Sequence, residues 1–194
     1  MTVRRLDAFL NVPYDREYEA LYIALVAGLC AFGLKPRATL ELPGPQRRLD
    51  RVVSLIRGCR YSFHDLSRVQ LSAGVPRFNM PFELGLAVEW SLRHPHLHSW
   101  VVLEARPHRL QRSLSDLNGT DPYCHRNRPA GLLLCLADAL IRVADEPSAD
   151  QLHAVHRVVR LAARDIRRRY GTLYGARAFT ELAYAATNAA RELQ

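Results

Sequence analysis

The stretch RLDAFLNVPYDREYEALYIALVAGLCAFG, residues 5–33, contains the unit from which the fold can be inferred. Its first part, Arg5–Asn11, is a short apolar run that ends in polar residues, which is typical of a buried strand. Gly33 indicates where a helix ends, because glycine is common just after the last helical residue. Between Tyr14 and Phe32, apolar residues recur at helical spacing, namely Tyr18, Leu21, Tyr22, Leu25 and Leu29. These residues predict a strand followed by a helix.

The same alternation continues along the chain. Three further strands are predicted at Arg37–Leu42, Arg60–Asp65 and Ser99–Glu104. The segments between them are predicted to be a helix from Pro45 to Gly58, a loop at Leu66–Phe78 and a helix at Met80–Leu92. Strands that alternate with helices indicate a parallel sheet with right-handed crossovers.

The last third of the chain is predicted to be mostly helical. The expected elements are a short helix at Arg109–Leu117, an edge strand at Thr120–His125, and helices at Ala130–Val143, Ala149–Arg169 and Ala176–Glu192. The predicted fold class is therefore α/β, with a flavodoxin-like parallel sheet of about five strands in the order 2-1-3-4-5. Residues 1–145 would form this domain. Residues 146–194 would form a helical hairpin that packs on the sheet or mediates dimerisation.

Composition places the chain among ordinary globular proteins, with 48% hydrophobic and 24% charged residues in 194. No stretch approaches the ~20 apolar residues of a membrane span, and the N-terminus is a poor signal peptide. Four cysteines show no close pairing, namely Cys30, Cys59, Cys124 and Cys135. We therefore expect reduced thiols, a cytoplasmic location and no membrane partner.

The net charge of +8 is almost entirely due to arginine, because Lys35 is the only lysine. Arginine suits bidentate contacts with phosphate, so the charge permits a nucleic acid or a phosphate-bearing small molecule and requires neither. Many arginines gather on one side of the predicted helix Ala149–Arg169, opposite an apolar side. No aromatic residues interleave with them for base stacking, so a solvated face is the expected interpretation and nucleic-acid binding is not expected.

The predicted fold places a ligand site at one edge of the sheet. Doubly wound sheets bind ligands beyond the carboxyl ends of their strands where the strand order reverses, here between strands one and three. Asn11 and Tyr14 follow strand one, Asp65 ends strand three, and Glu83 lies near the start of the next helix. We expect them around one crevice. The chain has neither a G-x-G-x-x-G nor a P-loop motif, so conventional dinucleotide and P-loop binding are not expected.

Glu83 has two interpretations from the pattern alone. As an acid in the first turn of the helix, it would complement the helix dipole and accept hydrogen bonds from unpaired amides. As a carboxylate at the strand ends, it would face the crevice and react. Gly85 and Ala87 are small, so we expect this helix to approach the sheet closely and hold Glu83 at the crevice.

Three stretches carry a resemblance to known proteins: FLNVPYD (residues 9–15), CRYSFHDLSR (59–68) and PRFNMPFELGLAVEW (76–90). They resemble an uncharacterised bacterial family with an HDxSR…PRFNMPxELG pattern, which is similar to the nucleoside 2-deoxyribosyltransferase and TIR-like superfamily. The resemblance covers roughly residues 6–121. It implies that Glu83 acts at the anomeric carbon of a ribosyl group and that NAD or a nucleotide is the substrate or ligand, with no separate cofactor.

The expected substrate-binding residues surround Glu83 in this interpretation, namely Asn11, Tyr14, Asp65, Arg68, Asn79, Asp116 and Asp121. Asp65 would orient ribose hydroxyls, or it would only form an Asx turn at the end of its strand. Arg68 and Arg77 would meet a phosphate, or they would be ordinary surface arginines. Asn79 is also a candidate helix N-cap. Asp116 and Asp121 receive no defined role.

No metal site is expected. His94, His96 and His98 are interpreted as exposed loop histidines, and Cys124 and His125 as neighbours without catalytic geometry. His64 and Asp65 are adjacent in a strand and so should point to opposite faces.

Two functions are therefore carried forward. The first is cleavage or transfer at an N-glycosidic bond with Glu83 as the catalytic carboxylate. The alternative is a non-catalytic module that senses a nucleotide and assembles, as a homodimer, through its C-terminal helices.

Overall fold

The computed structural model of the protein describes residues 4–41, 47–69, 76–141 and 146–193. In it, five parallel strands form one sheet in the order β2-β1-β3-β4-β5, as predicted. The strands are β1 (Arg4–Asn11), β2 (Lys35–Arg37), β3 (Cys59–Asp65), β4 (Ser99–Glu104) and β5 (Tyr123–Cys124). The order reverses between β1 and β3, so the fold places a crevice beside the end of β1.

The second strand is not where the sequence pattern predicted it. It covers Lys35–Arg37, and a 3₁₀ turn at Thr39–Glu41 replaces most of the predicted strand Arg37–Leu42, whose last residue lies outside the described part. A carboxylate oxygen of Glu41 accepts hydrogen bonds from Arg37 Nε at 2.7 Å and from Ala38 N at 3.1 Å. These contacts turn the chain back on itself, so that strand pairing ends there. The fifth strand is also shorter than the predicted Thr120–His125.

Seven helices connect or follow the strands in the described part of the chain. They are α1 (Glu19–Ala31), α2 (Arg48–Gly58), α3 (Asn79–Arg93), α4 (Arg109–Ser113), α5 (Pro129–Ala139), α6 (Ala149–Tyr170) and α7 (Ala176–Leu193). A further 3₁₀ turn follows α4 at Ser115–Leu117. The first helix begins later than predicted because residues 15–18 form a turn, in which Tyr18 N donates to the side chain of Asp15 at 3.0 Å. The predicted helix start at Pro45 and the predicted end at Val143 lie outside the described residues.

Helix α1 lies at the centre of one side of the molecule. All its residues from Leu21 to Ala31 are buried, because α5, α6 and α7 cover the sides that the sheet leaves open. The approach of α5 is close: a Cβ added at Gly28 would lie 2.5 Å from Leu136 Cδ1. The C-terminal hairpin thus packs mainly against α1 and shares one hydrophobic core with it. Helices α2 and α3 cover the other face of the sheet in a separate core around Phe9.

Helix α6 has clear boundaries and an amphipathic pattern. Ser148 and Gln151 form a capping box at its start, and Gly171, with φ of 73°, ends it in the left-handed conformation. Its apolar stripe is buried (Leu152, Val155, Val159, Ala163, Ile166), and its arginines lie on the exposed side, as predicted. None of the helices in the described part of the chain is long and apolar enough to cross a bilayer.

Candidate functional site

A cavity of about 240 Å³ opens where the carboxyl end of β1 meets the first turns of α2 and α3. Its wall combines three kinds of side chain, which are apolar (Leu10, Val12, Pro13, Met80), neutral polar (Asn11, Tyr14, Thr39, Asn79) and charged (Arg48, Arg77, Glu83). This is the crevice that the strand order predicted. Four of the expected site residues therefore share it, namely Asn11, Tyr14, Asn79 and Glu83.

Glu83 is the acidic side chain of this wall. It is the fifth residue of α3, so it lies beyond the first turn, and the alternative interpretation, in which it complements unpaired first-turn amides, was wrong. It is 6% exposed, and burial raises the pKa of its carboxyl. Arg48 opposes this shift from 3.6 Å (Nη2 to Oε1), but its own side chain is 56% exposed. Glu83 is therefore a nearly buried carboxylate whose negative charge is only weakly stabilised by Arg48.

The small residues after Glu83 do not both act as expected. Ala87 is fully buried against the sheet, in agreement with the prediction. Gly85 instead lies on the exposed side of α3, where an added Cβ would meet no atom within 4 Å. Close packing of α3 on the sheet therefore depends on Ala87 and not on Gly85.

Tyr14 forms an uncharged polar part of the wall. Its ring packs against Tyr174 with 5.5 Å between centroids, and Tyr174 Oη donates to Asp15 O at 2.7 Å. Burial raises the pKa of Tyr14 to about 12, so the hydroxyl stays protonated at neutral pH. Arg77 lies nearby and is held by Asp15 at 2.5 Å.

Asn11 connects the cavity to a chain of buried polar groups inside the sheet. Its Nδ2 lies 2.9 Å from Met80 O and 2.8 Å from His64 Nδ1. His64 Nε2 lies 2.8 Å from Ser62 Oγ, which lies 2.9 Å from His98 Nε2. We call Asn11, His64, Ser62 and His98 the polar chain. The prediction that His98 is an exposed loop residue was wrong: it is 1% exposed and ends this chain.

Asp65 does not line the cavity, contrary to the prediction that it would share a crevice with Asn11 and Glu83. Asn11 pairs with His64 across β1 and β3, so these two side chains share one face of the sheet. Asp65 follows His64 and points to the opposite face, toward α1. The predicted separation of His64 from Asp65 is confirmed, and it is the reason that Asp65 is separated from Asn11 as well.

On its own face, Asp65 is fully buried and surrounded by hydrogen-bond donors. Tyr18 Oη donates to Oδ2 at 2.6 Å, and Ser67 N donates to Oδ1 at 2.8 Å. His125 Nε2 lies 3.1 Å from Oδ2, while its Nδ1 accepts from Asn127 N at 3.1 Å. Burial alone would raise the pKa of Asp65, but these contacts outweigh it and hold the pKa below its usual value. Its Asx turn with Ser67 is the structural role that the sequence left open.

The remaining expected residues lie outside the cavity. Arg68 is bound to Asp15 at 2.9 Å and to Glu17 at 2.5 Å. Asp116 and Asp121 are exposed, near the short helix α4 and strand β5. The surface interpretation of Arg68 therefore fits better than a phosphate contact, whereas Arg77, its counterpart across the loop, does line the cavity.

Sequence reasoning missed several contributors. Arg48 reaches the cavity wall because it is the first residue of α2, and the first turns of helices in this fold point toward the carboxyl edge of the sheet. His64 and Ser62 alternate on the face of β3 that Asn11 shares, which the strand pattern could have shown. His125 follows β5, and no local pattern links it to Asp65.

No protein-family model matches the chain, and comparison with curated proteins finds no significant match. Among the described residues, no group of three or more histidine, cysteine, aspartate or glutamate side chains is arranged to hold a metal ion. The site is thus defined by its own chemistry: a buried carboxylate, two arginines and several neutral hydrogen-bonding groups around a small cavity.

Proposed function

We propose that this protein binds a nucleoside, a nucleotide or NAD and cleaves or transfers at its N-glycosidic bond, with Glu83 as the catalytic carboxylate. The main support is the position of Glu83, nearly buried in the wall of a cavity at the switch point of the sheet. Its raised pKa also supports the proposal, because perturbed carboxyl groups in clefts are enriched at active sites.

The chemistry suits a lone carboxylate. As the bond between the anomeric carbon and the base nitrogen breaks, its electron pair leaves with the base and positive charge develops on the sugar. Glu83 would stabilise that charge or attack the anomeric carbon to form a glycosyl ester. In hydrolysis, water gives its hydroxide to the anomeric carbon, and its proton goes to the base nitrogen that left with the electron pair, or to solvent where the base leaves neutral. In transfer, a second base bonds to the anomeric carbon, its N–H proton goes to the first base, and the carboxylate is restored.

The size and charge of the cavity indicate which part of a ligand it would hold. At about 240 Å³ it is smaller than the ~300–1,000 Å³ of pockets that enclose whole drug-sized ligands. A sugar with part of its base fits this description better than an entire dinucleotide. Arg48 and Arg77 would then face a phosphate at the opening.

The test is a variant pair measured on one substrate panel. The protein is incubated with nucleosides, nucleotides and NAD, and released base is quantified by chromatography. Glu83→Gln should lower the rate on the identified substrate by about 10²–10⁴-fold, as expected for loss of a catalytic acid–base or nucleophilic group. Glu89→Gln is the matched control, because Glu89 lies in the same helix with an exposed side chain.

The outcomes separate the functions. A folded Glu83→Gln protein with full activity would contradict the proposed catalytic role of Glu83. Ligand binding without release of base would favour the nucleotide-sensing module instead. Addition of a second free base distinguishes transfer, which yields a new nucleoside, from hydrolysis, which yields free sugar.

We also propose that the protein forms a homodimer through the outer surface of its C-terminal helices. This surface carries exposed apolar side chains, including Leu161 on α6 and Tyr184 on α7, which are 53% and 69% exposed. Leu161→Glu should convert a dimer to monomer in light scattering. A mass unchanged by this variant, or a monomeric wild-type protein, would contradict the assignment.

A further inference from the structure

We propose that the polar chain fixes the side-chain amide of Asn11 in one orientation, with its Oδ1 directed to the cavity as a hydrogen-bond acceptor. The ligand must then present a hydroxyl or amino hydrogen to Asn11. The orientation depends only on the protein, whereas the ligand class, a nucleoside or nucleotide, rests on the proposed function.

Both ends of the polar chain contact groups that can only accept hydrogen bonds. At one end, Met80 O lies 2.9 Å from Asn11 Nδ2, so the amide must present its NH₂ group and not its oxygen. At the other end, Cys59 O lies 2.9 Å from His98 Nδ1, so this nitrogen must carry a hydrogen. The two backbone carbonyls therefore define the direction of the chain independently.

The interior contacts agree with both ends. With Nδ1 of His98 protonated, its Nε2 accepts from Ser62 Oγ, and Ser62 in turn accepts from Nε2–H of His64. This leaves Nδ1 of His64 as an acceptor for the second hydrogen of the Asn11 amide. Five contacts thus share five hydrogens, one each, with no charge required. Reversing Asn11 would place its oxygen against Met80 O.

The electrostatics of the site favour this uncharged arrangement. Burial lowers the pKa of His64 to about 3, and His98 adds to the effect. Burial also lowers the pKa of His98 itself. Both rings are therefore neutral at pH 7, and a neutral ring has one donor and one acceptor nitrogen, as the chain needs.

The Oδ1 atom of Asn11 is what remains for a ligand. Both amide hydrogens are used inside the protein, and none of the hydrogen bonds in the described part of the chain involves Oδ1. Asn11 lines the same cavity as Glu83. The hydrogen-bonding character of this position is thus set by buried residues that a ligand never touches, which makes His64, Ser62 and His98 positioning residues.

The first experiment measures the two tautomers directly. Long-range ¹H–¹⁵N NMR spectra of histidine-labelled protein at pH 7 should show His64 as the Nε2–H form and His98 as the Nδ1–H form. A hydrogen on Nδ1 of His64, whether as the other tautomer or as an imidazolium, would overturn the proposal, because Asn11 would then have to present its oxygen to that nitrogen. This result requires no ligand and no activity.

The second experiment asks which ligand hydrogen reaches Asn11. Binding is measured in the Glu83→Gln variant, so turnover does not interfere, with adenosine compared to 2′-deoxyadenosine, 3′-deoxyadenosine and purine riboside. One of these should bind about 10-fold more weakly, since it lacks a hydroxyl or amino donor. That difference should vanish in Asn11→Ala and persist in Asn79→Ala, which removes another amide of the cavity wall.

The results distinguish the two proposals. Equal binding of all four compounds would overturn the ligand half of the inference while leaving the chemistry of Glu83 open. Binding with the expected selectivity, but without release of base from wild-type protein, would contradict the proposed catalysis. It would still support a ligand hydrogen donated to Asn11 Oδ1. A protein that binds none of them contradicts the proposed ligand class, and the tautomer measurement still decides the orientation of Asn11.

Discussion

Two buried acids lie near the carboxyl edge of the same sheet, on opposite faces, and they differ in almost every respect. Asp65 receives hydrogen bonds from Tyr18 and Ser67 and contacts His125, and its pKa is lowered. Glu83 has one ion-pair partner in the described part of the chain, the exposed Arg48 at 3.6 Å, and its pKa is raised. Of the two acids, Glu83 lines the cavity at the end of β1 and Asp65 does not.

The comparison shows how a structural acid differs from a candidate reactive one. A buried carboxylate whose acceptor positions are satisfied stabilises the fold and has little capacity left for a substrate. A buried carboxylate that lacks such partners costs stability, and proteins retain that cost at functional sites. Burial alone does not separate the two roles, whereas the hydrogen-bond partners do.

The largest expected effect is at Asp65. Asp65→Ala should lower the free energy of unfolding by about 3–5 kcal/mol, because it leaves the buried Tyr18 and His125 without their shared acceptor. Urea denaturation followed by circular dichroism measures this change. Asp116→Ala, at an exposed position, should stay within about 0.5 kcal/mol of wild type. A loss of stability in Asp65→Ala no larger than that in Asp116→Ala would contradict the structural role of Asp65.

Acidification should give the next largest effect, through His64. Its pKa is about 3 in the folded protein against about 6.5 when unfolded, so the unfolded state binds the proton first. The contribution of His64 to stability is complete well above pH 6.5 and is lost as pH falls toward 3, by about 1.7 kcal/mol between pH 6.5 and 5. His98 acts in the same direction, since its pKa is also lowered. Glu83 has the opposite effect and adds stability as pH falls, since its folded pKa is raised.

Urea midpoints at pH 6.5 and pH 5 measure this loss. His64→Asn can still accept from Asn11 but has no ring to titrate, so it should show a smaller difference between the two pH values. An equal difference in the variant and in wild type would assign the acid sensitivity to other groups.

At Glu83, substitution should change the free energy of unfolding in the opposite direction to substitution at Asp65. Because the folded pKa is raised, the ionised carboxylate destabilises the native state at pH 7, and Glu83→Gln should raise the free energy of unfolding by about 0.5–1 kcal/mol. Thermal unfolding at pH 7 measures the gain. Destabilisation of the size expected for Asp65→Ala would mean that Glu83 is a structural acid after all.

The smallest effect on stability is expected at Arg48. Its side chain is exposed and its distance to Glu83 is long, so Arg48→Gln should change the free energy of unfolding by less than about 0.5 kcal/mol. The pKa of Glu83 should nevertheless rise further, because its opposing charge is lost. Titration of the Glu83 carboxyl by ¹³C NMR measures this, with Arg168→Gln, an exposed position of α6 on the other side of the sheet, as control. No rise would show that Arg48 does not act on Glu83.

Much of the fold could be predicted from the sequence, because strand–helix alternation and helix-ending glycines are local signals. The positions of Asn11, Tyr14 and Glu83 around one cavity followed from the strand order. The placement of Asp65 failed because it depends on register. Asn11 pairs with His64, and a shift of one residue would have put Asp65 beside Asn11 instead.

The burial of His98 could not be predicted for a related reason. It precedes β4 in a segment without periodicity, and it becomes buried only because β3 supplies Ser62 and the carbonyl of Cys59. The second strand was misplaced because side chains of Arg37 and Glu41 form a turn that the alternating pattern does not reveal. Contacts between distant segments decide these features.

The turn between α6 and α7 brings the C-terminal hairpin into contact with the wall of the cavity. Tyr174 packs against Tyr14 in the cavity wall and donates to the backbone of Asp15. A ligand that displaces Tyr14 must therefore also disturb the C-terminal hairpin. By thermodynamic linkage, a partner bound to the hairpin would change the affinity of the cavity by the same factor as the ligand changes the affinity of the partner. Tyr174 would thus contribute to coupling between the cavity and the surface of the hairpin.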